Sequence, residues 1–259
     1  MVFLVLVVLF ALFPAFFTNG DPADTDPVHA FEPPSAQHLF GTDQLGRDVL
    51  TRSVYGTRYS LAIGIAATVV AMVAATVWGL AAALLGRFAD AVLMRIADVL
   101  LALPGILLAL MVILIMDKGA LGTTAAVAAG TAPGLARVVR AQALVVRRSG
   151  YVESAVGLGV RGSLTVLRHI LPNTLGPVLV LAPVSLGTSI SAGAALSYLG
   201  LGLQPPTPEW GVMLTESQAY LQQGWWTALF PGLLLLATIL AVTVVGGLTE
   251  GHAKGQAFS

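Results

Sequence analysis

The residues best suited to chemistry in the second half of the chain lie in one charged, glycine-punctuated segment, YVESAVGLGVRGSLTVLRHILPN, at 151–173. The segment contains one carboxylate, Glu153, together with Arg161, Arg168 and His169. Its Ser and His residues are not arranged as a recognisable catalytic triad. Its charges are therefore suited to recognition of a partner rather than to catalysis.

Motifs for catalysis and metal binding are missing elsewhere in the sequence. No G-x-x-x-x-G-K-[ST] phosphate loop, H-E-x-x-H or G-x-S-x-G occurs. The sequence has no Cys, which excludes disulfides, thiolate metal sites and a cysteine nucleophile. The four His residues, at 29, 38, 169 and 252, form no pair at helical metal-ligand spacing. We therefore predict a chain that is not an enzyme and binds no metal or cofactor itself.

The composition indicates that the solvent of this chain is the lipid bilayer. Hydrophobic residues make up 56% of the sequence and charged residues only 10%, whereas soluble domains contain about 25% charged residues. The mean hydropathy is +0.86. The net charge is zero, and no basic footprint for nucleic acid is visible. These features predict an all-α polytopic membrane protein with no nucleic-acid partner.

Six segments are apolar enough to cross the bilayer, for which a helix needs about 20 residues. The segments are 1–17, 61–85, 91–116, 121–146, 175–199 and 227–248. The first lacks a basic n-region and an A-x-A cleavage site, so it fits an uncleaved span better than a signal peptide. Because it begins abruptly, we expect the true start codon to lie upstream.

The basic residues predict the orientation of these spans. Nine of the 13 Lys and Arg fall on the side that holds both termini, and four fall on the other. The positive-inside rule therefore places both termini in the cytoplasm. The segments 18–60 and 200–226 then face outward, the core of five helices is 61–248, and 249–259 is a cytoplasmic tail.

The two outer segments each leave two interpretations open. In 18–60 a Pro- and Asp-rich half precedes a predicted helix that Thr42 or Asp43 can cap. This helix is either an interfacial element or part of a docking surface for an external partner. In 200–226 three prolines forbid a regular helix at the start. Its tryptophans suit the membrane interface, with ligand contact as the alternative, and they are Trp210, Trp225 and Trp226.

The pattern within 151–173 predicts a helix–turn–helix along the membrane face. Tyr151–Leu158 forms the first helix, and Gly159 ends it in a left-handed conformation. Ser163 caps a second helix at 164–170, and Pro172 opens the fifth span. Such an element can fill a groove on a soluble partner.

This segment resembles the EAA loop of ABC importer permeases, through Glu153-Ser154-Ala155, Gly159 and Leu171-Pro172. Its ending, RHILPN, is similar to that of the dipeptide/oligopeptide/nickel branch. Three more stretches in order resemble the same branch, and they are FGTDQLGRDVLTRSVYGTRYSL at 40–61, DAVLMRIADVLLALPGILLAL at 90–110 and LSYLGLGLQPPTPEWGVML at 196–214. The sequence departs from the branch at Ser154, where Ala is usual, and by lacking a cytoplasmic arm before the first span.

The resemblance implies the type I importer permease fold in the plasma (inner) membrane of a prokaryote. It also implies a heterodimer with a second permease, two ATP-binding domains that hold ATP and Mg, and an extracytoplasmic substrate-binding protein. The segment 148–172 would then couple the chain to the ATPases. The expected coupling residues are Glu153, Ser154, Ala155, Gly159, Arg161, His169, Leu171 and Pro172.

Two further sets of residues are predicted within this framework. Small polar residues in the fifth span either line the substrate path or pack against the partner permease, and they are Ser185, Thr188, Ser189 and Ser191. Residues of the outer segments would dock the binding protein, and they are Arg47, Asp48, Pro206, Glu209 and Trp210.

The substrate class stays open between peptides and nickel chelates, and we choose peptides as the more common cargo of this branch. An ATP-independent channel or carrier is the alternative class, and the charged 151–173 segment argues against it. A membrane enzyme is a third class, which the missing catalytic motifs oppose.

Overall fold

The computed structural model describes residues 2–18 and 20–256, with side-chain surroundings as far as residue 247. Its regular structure in this part of the chain is helical, which confirms the all-α prediction. A π-helical turn, Val166–Ile170, joins α8 to α9, so that 162–179 is one continuous helix. The α-helices are α1 Val2–Leu12, α2 Pro14–Phe17, α3 Val49–Leu84, α4 Arg87–Ala102, α5 Gly105–Met116, α6 Ala120–Arg147, α7 Gly150–Gly157, α8 Gly162–Thr165, α9 Leu171–Leu179, α10 Ala182–Tyr198, α11 Trp210–Ser217 and α12 Trp226–Gln256.

The longest helix, α3, begins at Val49 because Asp48 caps it. The Asp48 carboxylate accepts a hydrogen bond from the Thr51 amide at 2.7 Å. Thr42 and Asp43 lie in the preceding loop, so the prediction that one of them caps the helix is wrong. The expected outer helix and second span are one helix of 36 residues. Its length of about 54 Å exceeds the hydrocarbon core of about 30 Å, so part of α3 stands outside that layer.

The centre of the fold is the packing of α3 against α6. Ala67 of α3 clusters with Ala126 of α6, and Ala83 near the end of α3 clusters with Ala143. Small side chains at these contacts let the two helices approach closely. Because the contacts follow the same order along both helices, α3 and α6 run parallel.

The connection between two parallel helices must return across the molecule, and α4 and α5 provide this crossing. The two helices are bent by 103° relative to each other. Leu103, which precedes Pro104, has an extended backbone (φ −76°, ψ 138°), as expected for a residue before proline. The predicted span at 91–116 is therefore broken into two helices, and its crossing of the bilayer stays a prediction. Two ion pairs, Asp90–Arg140 and Asp98–Arg137, hold α4 against α6.

The fifth predicted span is bent as well. The 162–179 helix and α10 meet at 59°. Pro183 lies in the first turn of α10, where the missing N–H costs little. The expected break between the helix at 164–170 and the span that follows is absent, because Pro172 lies within the continuous helix. Ser163 also forms no side-chain cap, so that prediction is wrong.

Length and apolar composition qualify α3 and the Trp226–Gly247 part of α12 as membrane spans, and each bent pair qualifies if it is counted as one span. Helix α1 is apolar but has only 11 residues, and a break at Phe13 separates it from α2. Helix α6 has 28 residues, long enough at about 42 Å. The count of six spans stays a prediction. Most of the predicted tail at 249–259 continues α12, and 257–259 lie outside the described residues.

Candidate functional site

The charged segment forms an elbow, residues 147–173, in which a tight turn follows α7 and leads into the next helix. Gly159 adopts a φ of 78°, which glycine reaches without a steric penalty. The Val160 amide donates to the Ala155 carbonyl at 3.1 Å, and the Gly159 amide donates to the Val156 carbonyl at 3.0 Å. These bonds close the end of α7, and the predicted left-handed turn at Gly159 is confirmed.

Buried contacts fix the elbow to the neighbouring ends of α3 and α6. Val152 and Ile170, each 3% exposed, cluster with Ala83 and Ala143. The Arg147 guanidinium donates from Nη1 to the Ala83 carbonyl at 2.9 Å. These contacts join the elbow directly to the ends of α3 and α6.

The predicted coupling residues all lie on the elbow, but their exposure differs. Ala155 is 8% exposed and packs inward, so the expectation that its side chain contacts a partner is corrected. Val156 and Leu158 are apolar and strongly exposed, at 59% and 85%. His169 and Leu171 are half-buried. The exposed members of the predicted set are Glu153, Ser154, Gly159, Arg161 and Pro172.

A groove of about 390 Å³ opens between α5, α6 and α10. Thr188 lines it and Ser191 is exposed outside it, and for these two the choice between substrate path and partner packing stays open. Ser185 and Ser189 are buried in helix packing, so the path prediction is corrected for these two side chains. The sequence reasoning missed the contributions of α5 and α6, which only the fold brings together. Lining residues from these two helices include Gly105, Ile106, Ala109, Ala126, Gly130 and Thr131.

A closed cluster of two arginines and two carboxylates lies near the start of α3. Arg47 bonds Asp43 at 2.7 Å and Glu216 at 3.1 Å. Arg52 bonds the same two carboxylates at 2.5 Å and 2.7 Å. Both arginine side chains are 2% exposed. Buried charges are tolerated when they are paired in this way, so the cluster ties the loop before α3 to α11.

Glu209 caps α11 and links it to α3. Its carboxylate accepts hydrogen bonds from the Gly211 and Val212 amides, both at 3.0 Å, and from the Ser60 hydroxyl at 2.9 Å. Burial raises the pKa of the Glu209 carboxyl above its ordinary value, against the opposing effect of these bonds.

Only some of the predicted docking residues are exposed enough to contact a binding protein. Arg47, Glu209 and Trp210 are 2%, 1% and 0% exposed. The docking prediction is therefore wrong for these three side chains, which stabilise the outer segments from within. Asp48 is a quarter exposed and Pro206 is exposed, and for these two docking stays a prediction.

The tryptophans of the outer segments also divide by burial. The Trp210 indole donates to the Ser53 carbonyl at 2.9 Å, and the Trp226 indole donates to the Thr42 carbonyl at 3.0 Å. Both rings therefore serve the packing of the outer segments, and the prediction of interface anchoring is corrected for them. Trp225 is 54% exposed and fits the anchoring role.

The fold is similar to those of solved ABC transporter permeases. One match is to inward-facing conformations of the MetNI methionine ABC transporter, with a TM-score of 0.61 and 21% identity over 76% of this chain and 94% of that chain. Another is to an amino acid ABC transporter with histidines, with a TM-score of 0.59 and 13% identity over 78% of this chain and 94% of that chain. The helical body, with its groove and elbow, thus has the type I importer permease fold, as predicted.

The sequence comparison narrows this class to a family. The family model of the binding-protein-dependent transport system inner membrane component matches residues 75–250, which is more than half of the chain. This chain belongs to that family. Within residues 2–18 and 20–256, no group of three His, Cys, Asp or Glu is placed to hold a metal ion.

Curated relatives cover nearly all of the chain. The dipeptide transport system permease protein DppC of Alkalihalophilus pseudofirmus is 38% identical over 92% of this chain and 79% of its own length. The di/tripeptide transport system permease protein DppC of Pseudomonas aeruginosa is 36% identical over 95% and 83%. The glutathione transport system permease protein GsiD of Shigella flexneri is 42% identical over 95% and 80%.

Proposed function

We propose that this chain is one of two membrane-spanning subunits of an ATP-driven importer of short peptides delivered by an external binding protein. The observation that carries the proposal is the identity of 36–42% over 92–95% of the chain to permeases named for dipeptides, di/tripeptides and glutathione. Glutathione is itself a short peptide, so the three names share one chemical class of substrate. None of the three names mentions nickel or a nickel chelate.

In this proposal the chain transmits the movement of its partner ATPases and catalyses no reaction itself. Two partner ATP-binding domains hold ATP and Mg and hydrolyse the nucleotide. The elbow receives their movement and passes it to α3 and α6 through the buried contacts of Val152 and Ile170. The 162–179 helix continues from the elbow to α10, which carries Thr188 into the groove. Rigid-body rearrangement of packed helices would then open the groove to alternate sides.

The proposed location is the plasma (inner) membrane of a prokaryote, with both termini in the cytoplasm. The distribution of Lys and Arg supports this orientation. The elbow would then meet the ATPases inside, and the outer segments would meet the binding protein outside. The partner permease would complete the path along the groove.

The test is to purify the tagged chain from its native membrane and identify its partners by mass spectrometry. We expect a second permease and a P-loop ATPase, and ATP-dependent uptake of a radiolabelled dipeptide when the complex and its binding protein are placed in liposomes. A radiolabelled nickel chelate serves as the competing substrate. Transport by the chain alone without ATP would contradict the proposal, and uptake of the nickel chelate but of no peptide would contradict its substrate class.

A further inference from the structure

The elbow concentrates positive charge in a chain whose net charge is zero. Residues 147–173 contain four arginines and one glutamate, a formal net charge of +3. All four arginines and Glu153 are exposed. Within the described residues no carboxylate lies within 4 Å of Arg148, Arg161 or Arg168, and no basic group lies within 4 Å of Glu153. These charges are therefore free to pair with another molecule.

The same surface has an apolar hollow of about 620 Å³ between α7 and the helix that follows it. Val152, Val166 and Ile170 line its interior, and Arg147 and Glu153 stand among the lining residues. Gly157 and Gly162 also border it, and a Cβ at either position would meet nothing within 4 Å. The hollow has room for a side chain that none of the described residues supplies.

We propose that the ATPase surface receiving the elbow is acidic and carries one projecting apolar side chain that enters this hollow. The proposal rests on the proposed function, in which the elbow docks on an ATPase. Arginines enclosed in an interface need carboxylates as partners. An apolar hollow left empty in an interface forfeits the contacts of its lining.

A protein partner fits the surface better than anionic lipid does. Phospholipid headgroups would satisfy the arginines, but Glu153 at the hollow would repel them. A protein surface can present carboxylates to Arg161 and Arg168 and an uncharged side chain to the hollow between them and α7. Charge and shape thus favour the same kind of partner.

The charge is tested with Arg161→Glu/Arg168→Glu in the complex purified from native membranes. We expect the ATPase that co-purifies per tagged chain to fall about tenfold or more in the double variant, because like charges would face each other. Arg87→Glu is the matched control, because Arg87 is an exposed arginine outside the elbow. Arg161→Gln/Arg168→Gln, which removes the charge without reversing it, should give an intermediate loss. Wild-type retention should also fall as KCl is raised.

The hollow is tested with Gly157→Phe, which fills it from within the chain. We expect a loss of ATPase retention, whereas Gly176→Phe should retain ATPase as the wild type does. Gly176 has equal free space but lies outside the elbow and does not line the hollow. Equal retention by the two phenylalanine variants would overturn the apolar part of the proposal.

The outcomes separate this proposal from the function on which it rests. If the wild type retains no ATPase under any condition, the proposed function fails. If the wild type retains ATPase and the charge-reversed variant retains as much, only the acidic surface is overturned. Unchanged ATPase retention with weaker binding to phosphatidylglycerol vesicles would likewise overturn it and assign the arginines to lipid.

Discussion

The charged residues of the outer segments are used for internal structure. Arg47 and Arg52 share the carboxylates of Asp43 and Glu216, so every charge in the cluster has two partners. The sequence suggested the opposite role for Arg47, because a charged residue in a loop is ordinarily exposed. Its burial depends on a carboxylate 169 residues away, a contact that no local pattern contains.

Removing one charge from this cluster should be costly. Arg52→Met leaves Asp43 and Glu216 with a single shared cation in a buried site, and we expect a loss of about 3–5 kcal/mol in stability. Arg58→Met, at an exposed position of the same helix, should change stability by about 0.5 kcal/mol or less. Thermal unfolding of both variants in detergent, followed by tryptophan fluorescence, measures the difference. Equal melting temperatures would show that the cluster does not stabilise the outer segments.

Glu209 should make stability depend on pH. Burial raises its folded pKa above the ordinary value of 4.5, so the folded state favours the neutral acid relative to the unfolded chain. The resulting stabilisation is present below pH 4.5 and is lost as pH rises through the folded pKa. We expect the melting temperature of the wild type, relative to Glu209→Gln, to fall as pH increases from 4.5 to 9. A wild-type melting temperature that rises with pH relative to that of Glu209→Gln would mean that the capping hydrogen bonds outweigh burial and that the pKa of Glu209 is lowered.

At the scale of the element, the contact between α3 and α6 should be intolerant of added volume. A Cβ on Gly79 would lie 2.6 Å from the Ala136 carbonyl oxygen and 2.6 Å from the Val139 Cβ. We expect Gly79→Ala to destabilise the protein by about 1–3 kcal/mol through overpacking. Gly134→Ala is the control, because a Cβ there meets nothing within 4 Å. Equal melting temperatures for the two variants would mean that the helices part without penalty.

The turn of the elbow should be needed for coupling. Gly159 has a φ of 78°, and proline is restricted to about −65°. We expect Gly159→Pro to abolish peptide uptake while ATPase activity continues. Gly159→Asn is the control, since asparagine tolerates the left-handed region. Uptake by Gly159→Pro at the wild-type rate would show that the elbow does not couple the two activities.

The elements were predictable where local chemistry determines them. Gly159 ends α7 as expected, because only its own backbone conformation is required. The bend at Pro104 was missed, because Leu103-Pro104 lies inside a run of apolar residues that resembles one continuous span. What holds the bent pair in place is the pairing of α4 with α6 through Asp90 and Asp98, and partners on another helix are not visible in the local sequence.

At the scale of the whole molecule, the parallel course of α3 and α6 has a topological consequence. If both helices span the bilayer, residues 86–119 cross it, and we expect Lys118 and Leu158 to lie on opposite sides. The chain has no Cys, which makes single-cysteine labelling unambiguous. We expect a membrane-impermeant maleimide to label Lys118→Cys in intact cells and Leu158→Cys only after lysis. Labelling of both from outside, or of neither, would mean that α4 and α5 form a re-entrant loop.

The elbow was easier to predict from the sequence than the groove. The elbow was located because its charges interrupt an otherwise apolar chain. The groove was found only in part, since Thr188 was expected but Thr131 comes from a helix with no polar pattern of its own. Ser185 and Ser189 were expected in the path, yet a small hydroxyl in a span satisfies helix packing as readily as a cavity, and only the fold distinguishes these roles.

The bonds between the two outer segments also limit how this protein can be recombined with its relatives. Thr42 accepts from Trp226, Ser60 donates to Glu209, and Arg52 pairs with Glu216, 164 residues further along the chain. A chimera that imports residues 200–217 from another permease would leave the arginines of the first segment facing foreign partners. Residues 40–60 and 200–226 therefore have to be transplanted together, and they are expected to have been inherited as one module.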